Sequence, residues 1–162
     1  MPEYPVMFKV KDAVAGNGFL AGVLLSGRAT IREDYGKWWV YGVCPGGIAE
    51  SGSTPEEAFL RFRETYRSVL FDLAEESATY NDFRSAVESF YSQINEAEKE
   101  NWESAFQAMR ASTIPLEGFF STLPKRAPES CSTKLSIERL DKRTQYTPTD
   151  NISDHLALPI AA

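Results

Sequence analysis

The first third of the chain has the hydrophobic pattern of β-strands. Val6 to Lys11 ends in an alternation of apolar and charged residues, which is typical of a strand with one buried face. Residues 19 to 33 then form one long or bent apolar segment, and residues 38 to 44 form the next. Turn residues separate these segments at Asn17-Gly18 and at Asp34 to Lys37. The pattern predicts long strands, the last two of which pair as an antiparallel hairpin.

The strand predicted over residues 38 to 44 is apolar on both faces. Alternation places Trp38 and Val40 on one face and Trp39, Tyr41 and Val43 on the other. A sheet that contains such a strand needs cover on both sides. We expect that cover to come from the helices of the same chain or from another chain.

The first helix is predicted from about Pro55 to Glu76, after a short edge strand near residues 47 to 51. Its start carries several local signals: Thr54 can cap the helix with its side-chain oxygen, and Pro55 suits the first helical position. Glu57 lies three residues after the cap, where its carboxylate can answer it. These signals predict a well-defined boundary between strand and helix.

Two further amphipathic helices are predicted, one beginning near Asn81 and one carrying Trp102. Strands followed by helices favour an α+β fold, in which a small antiparallel sheet is packed with helices. We assign this domain to residues 1–110.

Residues 111–162 are predicted to form a Pro/Ser/Thr-rich, mostly irregular tail. They contain 5 prolines and 12 serines or threonines, and they show no sustained hydrophobic period. Two pieces are less polar, Leu135 to Leu140 and Leu156 to Ala161. Either piece could dock onto the domain or onto a partner.

The charge is concentrated in the predicted domain. Residues 1–110 contain 11 Lys or Arg against 17 Asp or Glu, whereas residues 111–162 contain 6 of each. An acidic domain repels the phosphate backbone, so nucleic-acid binding is disfavoured and a basic protein partner is favoured. Cys44 and Cys131 form no spaced pair, and no apolar run is long enough to cross a bilayer. We therefore expect a cytoplasmic protein that does not bind membranes.

The sequence predicts no catalytic, cofactor-binding or metal-binding residues. Cys44 precedes Pro45-Gly46-Gly47, but the nucleophile hypothesis lacks a base because the single histidine is His155, in the tail. One histidine and two unpaired cysteines are too few for a zinc or iron centre. The acids around the third helix are expected to form a solvated face: Glu96, Glu98, Glu100 and Glu103.

Trp39 and Tyr41 are the candidate partner-binding residues. The adjacent tryptophans Trp38 and Trp39 place one indole on each face of the sheet, and aromatic anchors dominate protein interfaces. The alternative is that both tryptophans belong to the core.

The order of strand, Pro-Gly turn and capped helix resembles the HicB-like antitoxin family, over residues 4 to about 75. The family typically has an opening strand, a Pro-Gly turn, a strand that ends in Gly-x-Thr, and a helix that begins Glu-Glu-Ala. The matching segments are Tyr4-Pro5-Val6, Pro45-Gly46, Gly52-Ser53-Thr54 and Glu56-Glu57-Ala58. The resemblance implies a partial RNase H-like fold, an oligomer of two or four copies, and a role in neutralising a small basic ribonuclease toxin.

These observations favour a non-enzymatic protein that binds and occludes a small basic protein. Two alternatives stay open. One is a homo-oligomeric structural or regulatory protein whose exposed sheet face pairs with itself. The other is a metal-dependent hydrolase on an RNase H-like frame, which would need convergent carboxylates.

Overall fold

The computed structural model describes residues 2–122 and 134–144 of the 162-residue chain. The described strands are β1 (Glu3–Gly16), β2 (Phe19–Asp34), β3 (Lys37–Cys44), β4 (Ala49–Gly52) and β5 (Lys134–Arg139). The helices are α1 (Pro55–Glu76), α2 (Tyr80–Tyr91) and α3 (Glu96–Arg110), with short 3₁₀ turns at Gly118–Thr122 and Asp141–Thr144. This confirms the predicted α+β fold.

All five strands join one antiparallel sheet, and β2 is its central strand. β1 pairs with β2 along its full length across the Asn17-Gly18 turn. The other edge of β2 is shared, because residues 21–26 pair with β5 and residues 28–34 pair with β3. β4 pairs with β3 and forms an edge of the sheet. The predicted long strand, the second hairpin and the short edge strand are therefore confirmed.

One face of the sheet packs against α1 and α2 and forms the main core. The alternate residues of β1 and β2 that face these helices are almost fully buried, which is the reason for the period of two in the sequence. The largest fully buried side chains in this core are Tyr66, Phe62, Phe83, Leu25, Ile31 and Leu70.

The other face of the sheet is covered in part by α3. A second cluster of buried residues joins Val43 on β3 to Trp102, Phe106 and Met109 on α3, and Met7 on β1 packs against it. The indole of Trp102 also donates a hydrogen bond to the carbonyl oxygen of Val6, at 3.1 Å. The prediction that β3 needs cover on both faces is confirmed, and both layers come from the chain itself.

The start of α1 has the predicted cap. The Thr54 hydroxyl oxygen accepts a hydrogen bond from the backbone N–H of Glu57, and Pro55 is the first residue of the helix. The Glu57 carboxylate accepts from the backbone N–H and the hydroxyl of Ser53, at 2.8 and 2.6 Å. Glu57 therefore answers the residue before the cap rather than Thr54 itself.

Part of the predicted tail packs onto the domain. The piece from Leu135 to Leu140 docks as β5 and the residue after it, and the N–H of Leu140 donates to the carbonyl oxygen of Leu20 at 2.7 Å. Phe120 is buried and stacks on Tyr4, with ring centroids 3.6 Å apart. Leu156 to Ala161, Cys131 and His155 lie outside the described residues.

Candidate protein-binding surface

Trp39 and Tyr41 lie side by side on the α3 face of the sheet. Their rings stack with centroids 5.8 Å apart and an angle of 15° between planes, and both side chains are half-buried. Across the strand pair, Trp39 lies opposite Ser51 and Tyr41 lies opposite Ala49 on β4. Both β4 side chains are small, so this edge of the sheet does not bury the aromatic pair.

Trp38, in contrast, faces the main core. Its ring centroid lies 5.5 Å from that of Phe120, and it packs against the residues beneath α1. The two adjacent tryptophans therefore have different environments, as the alternation of the strand requires. Of the two tryptophans, only Trp39 remains a candidate for contact with a partner.

Arg32 completes a three-membered stack on this surface. It lies opposite Trp39 on β2, and its guanidinium lies 4.0 Å from the ring centroid of Tyr41. The Tyr41 hydroxyl donates to a carboxylate oxygen of Asp34 at 3.4 Å. Tyr41 therefore contacts both Arg32 and Trp39, and we call these three residues the aromatic stack. A guanidinium is already held against one of its rings, which shows that the rings suit a cation.

Glu98 anchors Arg32 from α3. The Arg32 guanidinium donates to both oxygens of the Glu98 carboxylate, at 3.0 and 2.9 Å, and the Thr30 hydroxyl donates to it at 2.6 Å. Glu98 is only 6% exposed, so the prediction that it belongs to a solvated face is wrong. A buried carboxylate needs charged or hydrogen-bonding partners, and the sheet supplies both. The other three acids of that prediction are exposed: Glu96, Glu100 and Glu103.

The protonation states of these groups follow from their contacts. Burial alone would raise the pKa of Glu98, but the hydrogen bonds from Arg32 and Thr30 and the charge of Arg32 hold it below its ordinary value. The hydrogen bond with Glu98 raises the pKa of Arg32. Burial raises the pKa of Tyr41, and nearby Asp34 adds to the increase while Arg32 opposes it. The pair is ionised and the phenol is neutral near neutral pH.

The indole nitrogen of Trp39 is covered from solvent and donates to no acceptor within residues 2–122 and 134–144. A covered donor without an acceptor costs about 1–3 kcal/mol. Covered donors without an acceptor are uncommon in native proteins, so this indole marks Trp39 as an unusual position. It distinguishes Trp39 from Trp102, whose indole has its acceptor.

The Cys44 thiol is half-buried and lies 3.9 Å from the carbonyl oxygen of Tyr91. Within the described ranges, no group of three or more His, Cys, Asp or Glu side chains is placed to hold a metal ion. In the same part of the chain, no helix is both long and apolar enough to cross a membrane.

In comparisons with known proteins, no protein-family model, curated protein or solved structure matches this chain.

The polar residues that support the aromatic stack are not among those predicted from the sequence. Arg28, Thr30 and Arg32 alternate along β2 with the buried Ala29 and Ile31, so they all point to the α3 face. Polar residues on a sheet face that becomes buried need hydrogen-bonding or charged partners. A row of them therefore indicates that the helix packed on that face carries a polar residue. That partner is Glu98, which stands in line with the apolar stripe of α3, four residues before Trp102.

Proposed function

We propose that this protein is a non-enzymatic binding protein that binds and occludes a small basic protein through Trp39 and Tyr41. The observation that carries the proposal is the aromatic stack, in which two half-buried rings lie beside the small side chains of β4. Stacked aromatic side chains on a rigid strand lose little entropy on binding and supply much of the energy of an interface.

The preference for a basic partner rests on charge. The helices that surround the sheet carry many exposed acids, and residues 1–110 have an excess of six acids over bases, 17 against 11. Such a surface increases the rate of encounter with a basic protein. At the stack itself, the Asp34 carboxylate and the aromatic rings suit an incoming lysine or arginine, as Arg32 already illustrates.

The resemblance to HicB-like antitoxins supports the same role. The residues that carry it form an opening strand, a turn and a capped helix in the family's order. We include two further points in this proposal: the protein is cytoplasmic, and the basic partner is a toxin that it neutralises.

The test begins with the tagged full chain, purified from the cells that naturally make it. We expect a small basic protein to be recovered in near-equal amount. The two proteins are then produced separately, and their affinity is measured by titration calorimetry. Recovery of the bait alone would contradict the proposal.

Variants then locate the surface. We expect Trp39→Ala to weaken binding by about thirtyfold or more, which is the effect of losing a dominant interface residue. Phe71→Ala is the matched control, because Phe71 is an exposed aromatic residue on α1 and should leave the affinity unchanged. If Trp39→Ala does not fold, the affinity is measured instead with Trp39→Phe, which retains a stacked ring. Equal affinity of the wild type and both Trp39 variants would refute the assignment of the surface.

A further inference from the structure

A second apolar surface lies on the α3 face of the sheet, in the half that α3 does not cover. Leu20 and Leu24 are 37% and 42% exposed. Both point to that face, because they alternate along β2 with residues that are buried in the main core. Gly22 lies between them and has no side chain, so a gap separates the two leucines. We call Leu20, Gly22 and Leu24 the leucine face.

Three lysines lie at one end of the leucine face, next to Ser26. Lys9 and Lys134 lie on either side of Ser26, on β1 and β5, and Lys11 is the next residue of β1 on the same face. Cross-strand partners share a face of the sheet, so all three side chains are on the α3 face, where all three are exposed. Glu138 lies on the same margin, but four residues farther along β5. The excess of positive charge is therefore at the Ser26 end.

The chain leaves the sheet at the other end of the leucine face. After β5, the N–H of Leu140 donates to the carbonyl oxygen of Leu20 at 2.7 Å, and the N–H of Leu20 donates to the Asp141 carboxylate at 3.2 Å. The described part of the chain ends three residues later, at Thr144. The segment of residues 145–162 that follows therefore begins close to the leucine face.

That segment contains the apolar piece from Leu156 to Ala161, and the pattern of this piece matches the leucine face. Three large side chains alternate with small residues and fall on one side of an extended chain: Leu156, Leu158 and Ile160. At about 3.3 Å per residue, the first and third of them are about 13 Å apart, as are Leu20 and Leu24 on β2. Asp154 precedes the piece on the same side and carries the charge opposite to that of the lysines.

The connection is long enough to bring the two surfaces together. Ten residues separate Thr144 from Asp154, and they can span up to about 33 Å. The Ser26 end of the leucine face is about 20 Å from Leu20 along β2. A segment tethered in this way has an effective concentration in the millimolar range, so a weak contact is sufficient to hold it.

We propose that residues 154–161 of the same chain dock on the leucine face as an extended segment. The segment runs antiparallel to β2, so Asp154 meets the lysines at the Ser26 end and Leu158 enters the gap over Gly22. The other two large residues pack beside the leucines: Leu156 beside Leu24, and Ile160 beside Leu20.

The domain itself, rather than a partner, is then the docking site of this second apolar piece of the tail. The docked segment involves neither β3 nor β4, so the aromatic stack stays available. The proposal goes beyond the proposed function and does not depend on it.

The test is nuclear magnetic resonance of the purified full chain, with isotope labels in the leucine and isoleucine methyl groups. We expect through-space contacts of Leu158 with both leucines of the leucine face, of Leu156 with Leu24, and of Ile160 with Leu20. These contacts should not depend on protein concentration and should be absent between differently labelled copies. Contacts that form only between copies would overturn the proposal. So would the absence of contacts in the chain alone, including the case in which the segment binds another protein instead.

Variants of the segment test its register. Leu158→Asp should lower the ratio of docked to undocked chains at least about tenfold, because it places a charge in the apolar gap. Ala157→Asp is the matched control: it adds the same charge one position away, on the other side of the extended segment, and should leave the contacts of Leu156 unchanged. Asp154→Lys should lower the ratio roughly three- to tenfold, and less at high salt. Equal losses in Leu158→Asp and Ala157→Asp, or an unchanged ratio in Asp154→Lys, would refute the proposed register.

Discussion

The substitution Arg32→Met isolates the buried ion pair that joins α3 to the sheet. Methionine retains most of the length of the side chain but removes the guanidinium, which leaves the Glu98 carboxylate with the hydroxyl of Thr30 and a long contact from Asn101, at 3.4 Å. Removing one partner of a buried pair costs about 3–5 kcal/mol. The side chain of Arg32 is 19% exposed, so water can partly replace it. We therefore expect a loss of about 3 kcal/mol in the free energy of unfolding at neutral pH.

The pH dependence identifies the cause. In the wild type, the pKa of Glu98 is lowered in the folded state, so its contribution is present above the ordinary glutamate value of 4.5 and is lost as the pH falls. In Arg32→Met, burial without the cation raises that pKa, and protonation then relieves the cost. Both effects reduce the difference between the two proteins in acid. We expect the loss to shrink to about 1 kcal/mol or less near pH 4.

The assay is equilibrium unfolding in urea, followed by tryptophan fluorescence and circular dichroism, at neutral and acidic pH. Arg84→Met is the matched control, because Arg84 pairs with Glu88 at 3.0 Å and both side chains are more than half exposed, so its loss should change stability little. Adding Glu98→Leu to Arg32→Met removes the stranded carboxylate and should restore part of the stability. A loss that is the same at both pH values, or a double variant less stable than Arg32→Met, would refute the reasoning.

Three further predictions concern single positions. Tyr35 is 94% exposed with φ of 52°, so Tyr35→Asn should stabilise the fold by about 1 kcal/mol in urea unfolding, whereas Tyr35→Ala should not. Thr54→Ala removes the acceptor for the N–H of Glu57 and should cost about 1 kcal/mol, while Thr54→Ser should retain the cap. Burial, followed by nearby Cys44, raises the pKa of Tyr66 above its ordinary value of 10.0. Its stabilising contribution is therefore present below pH 10.0 and is lost as the pH rises, so Tyr66→Phe should make stability less sensitive to alkali.

Local signals explain why much of the fold was predictable. The boundary of α1 follows from Thr54, Pro55 and Glu57, which lie within four residues of one another, and the structure begins and ends the helix where the pattern predicts. The opposite orientations of Trp38 and Trp39 follow from the period of a strand alone. Neither inference requires knowledge of a distant residue.

The features that could not be predicted from the sequence depend on long-range pairing. β5 pairs with β2 across more than 100 residues of sequence, and its short alternating segment cannot specify which edge it joins. The sequence places Glu98 on a solvated face because alternate positions of a helix point to different faces and form no carboxylate cluster, although its spacing from Trp102 puts it on the buried stripe. Its partners, Thr30 and Arg32, are 68 and 66 residues away in sequence. Helical spacing could show that Glu98 is buried, but only the tertiary structure shows what neutralises it.

Arg32 connects the stability of the domain to the proposed binding surface. One face of its guanidinium covers Tyr41, while its edge donates two hydrogen bonds to Glu98 on α3. A lysine could retain the charge but not the planar fork that makes both contacts at once. The position of α3 and the orientation of the aromatic stack therefore depend on the same side chain. A partner that binds Trp39 and Tyr41 contacts a surface that the Arg32–Glu98 ion pair has already ordered. The entropy cost of ordering these side chains is therefore incurred during folding rather than on binding.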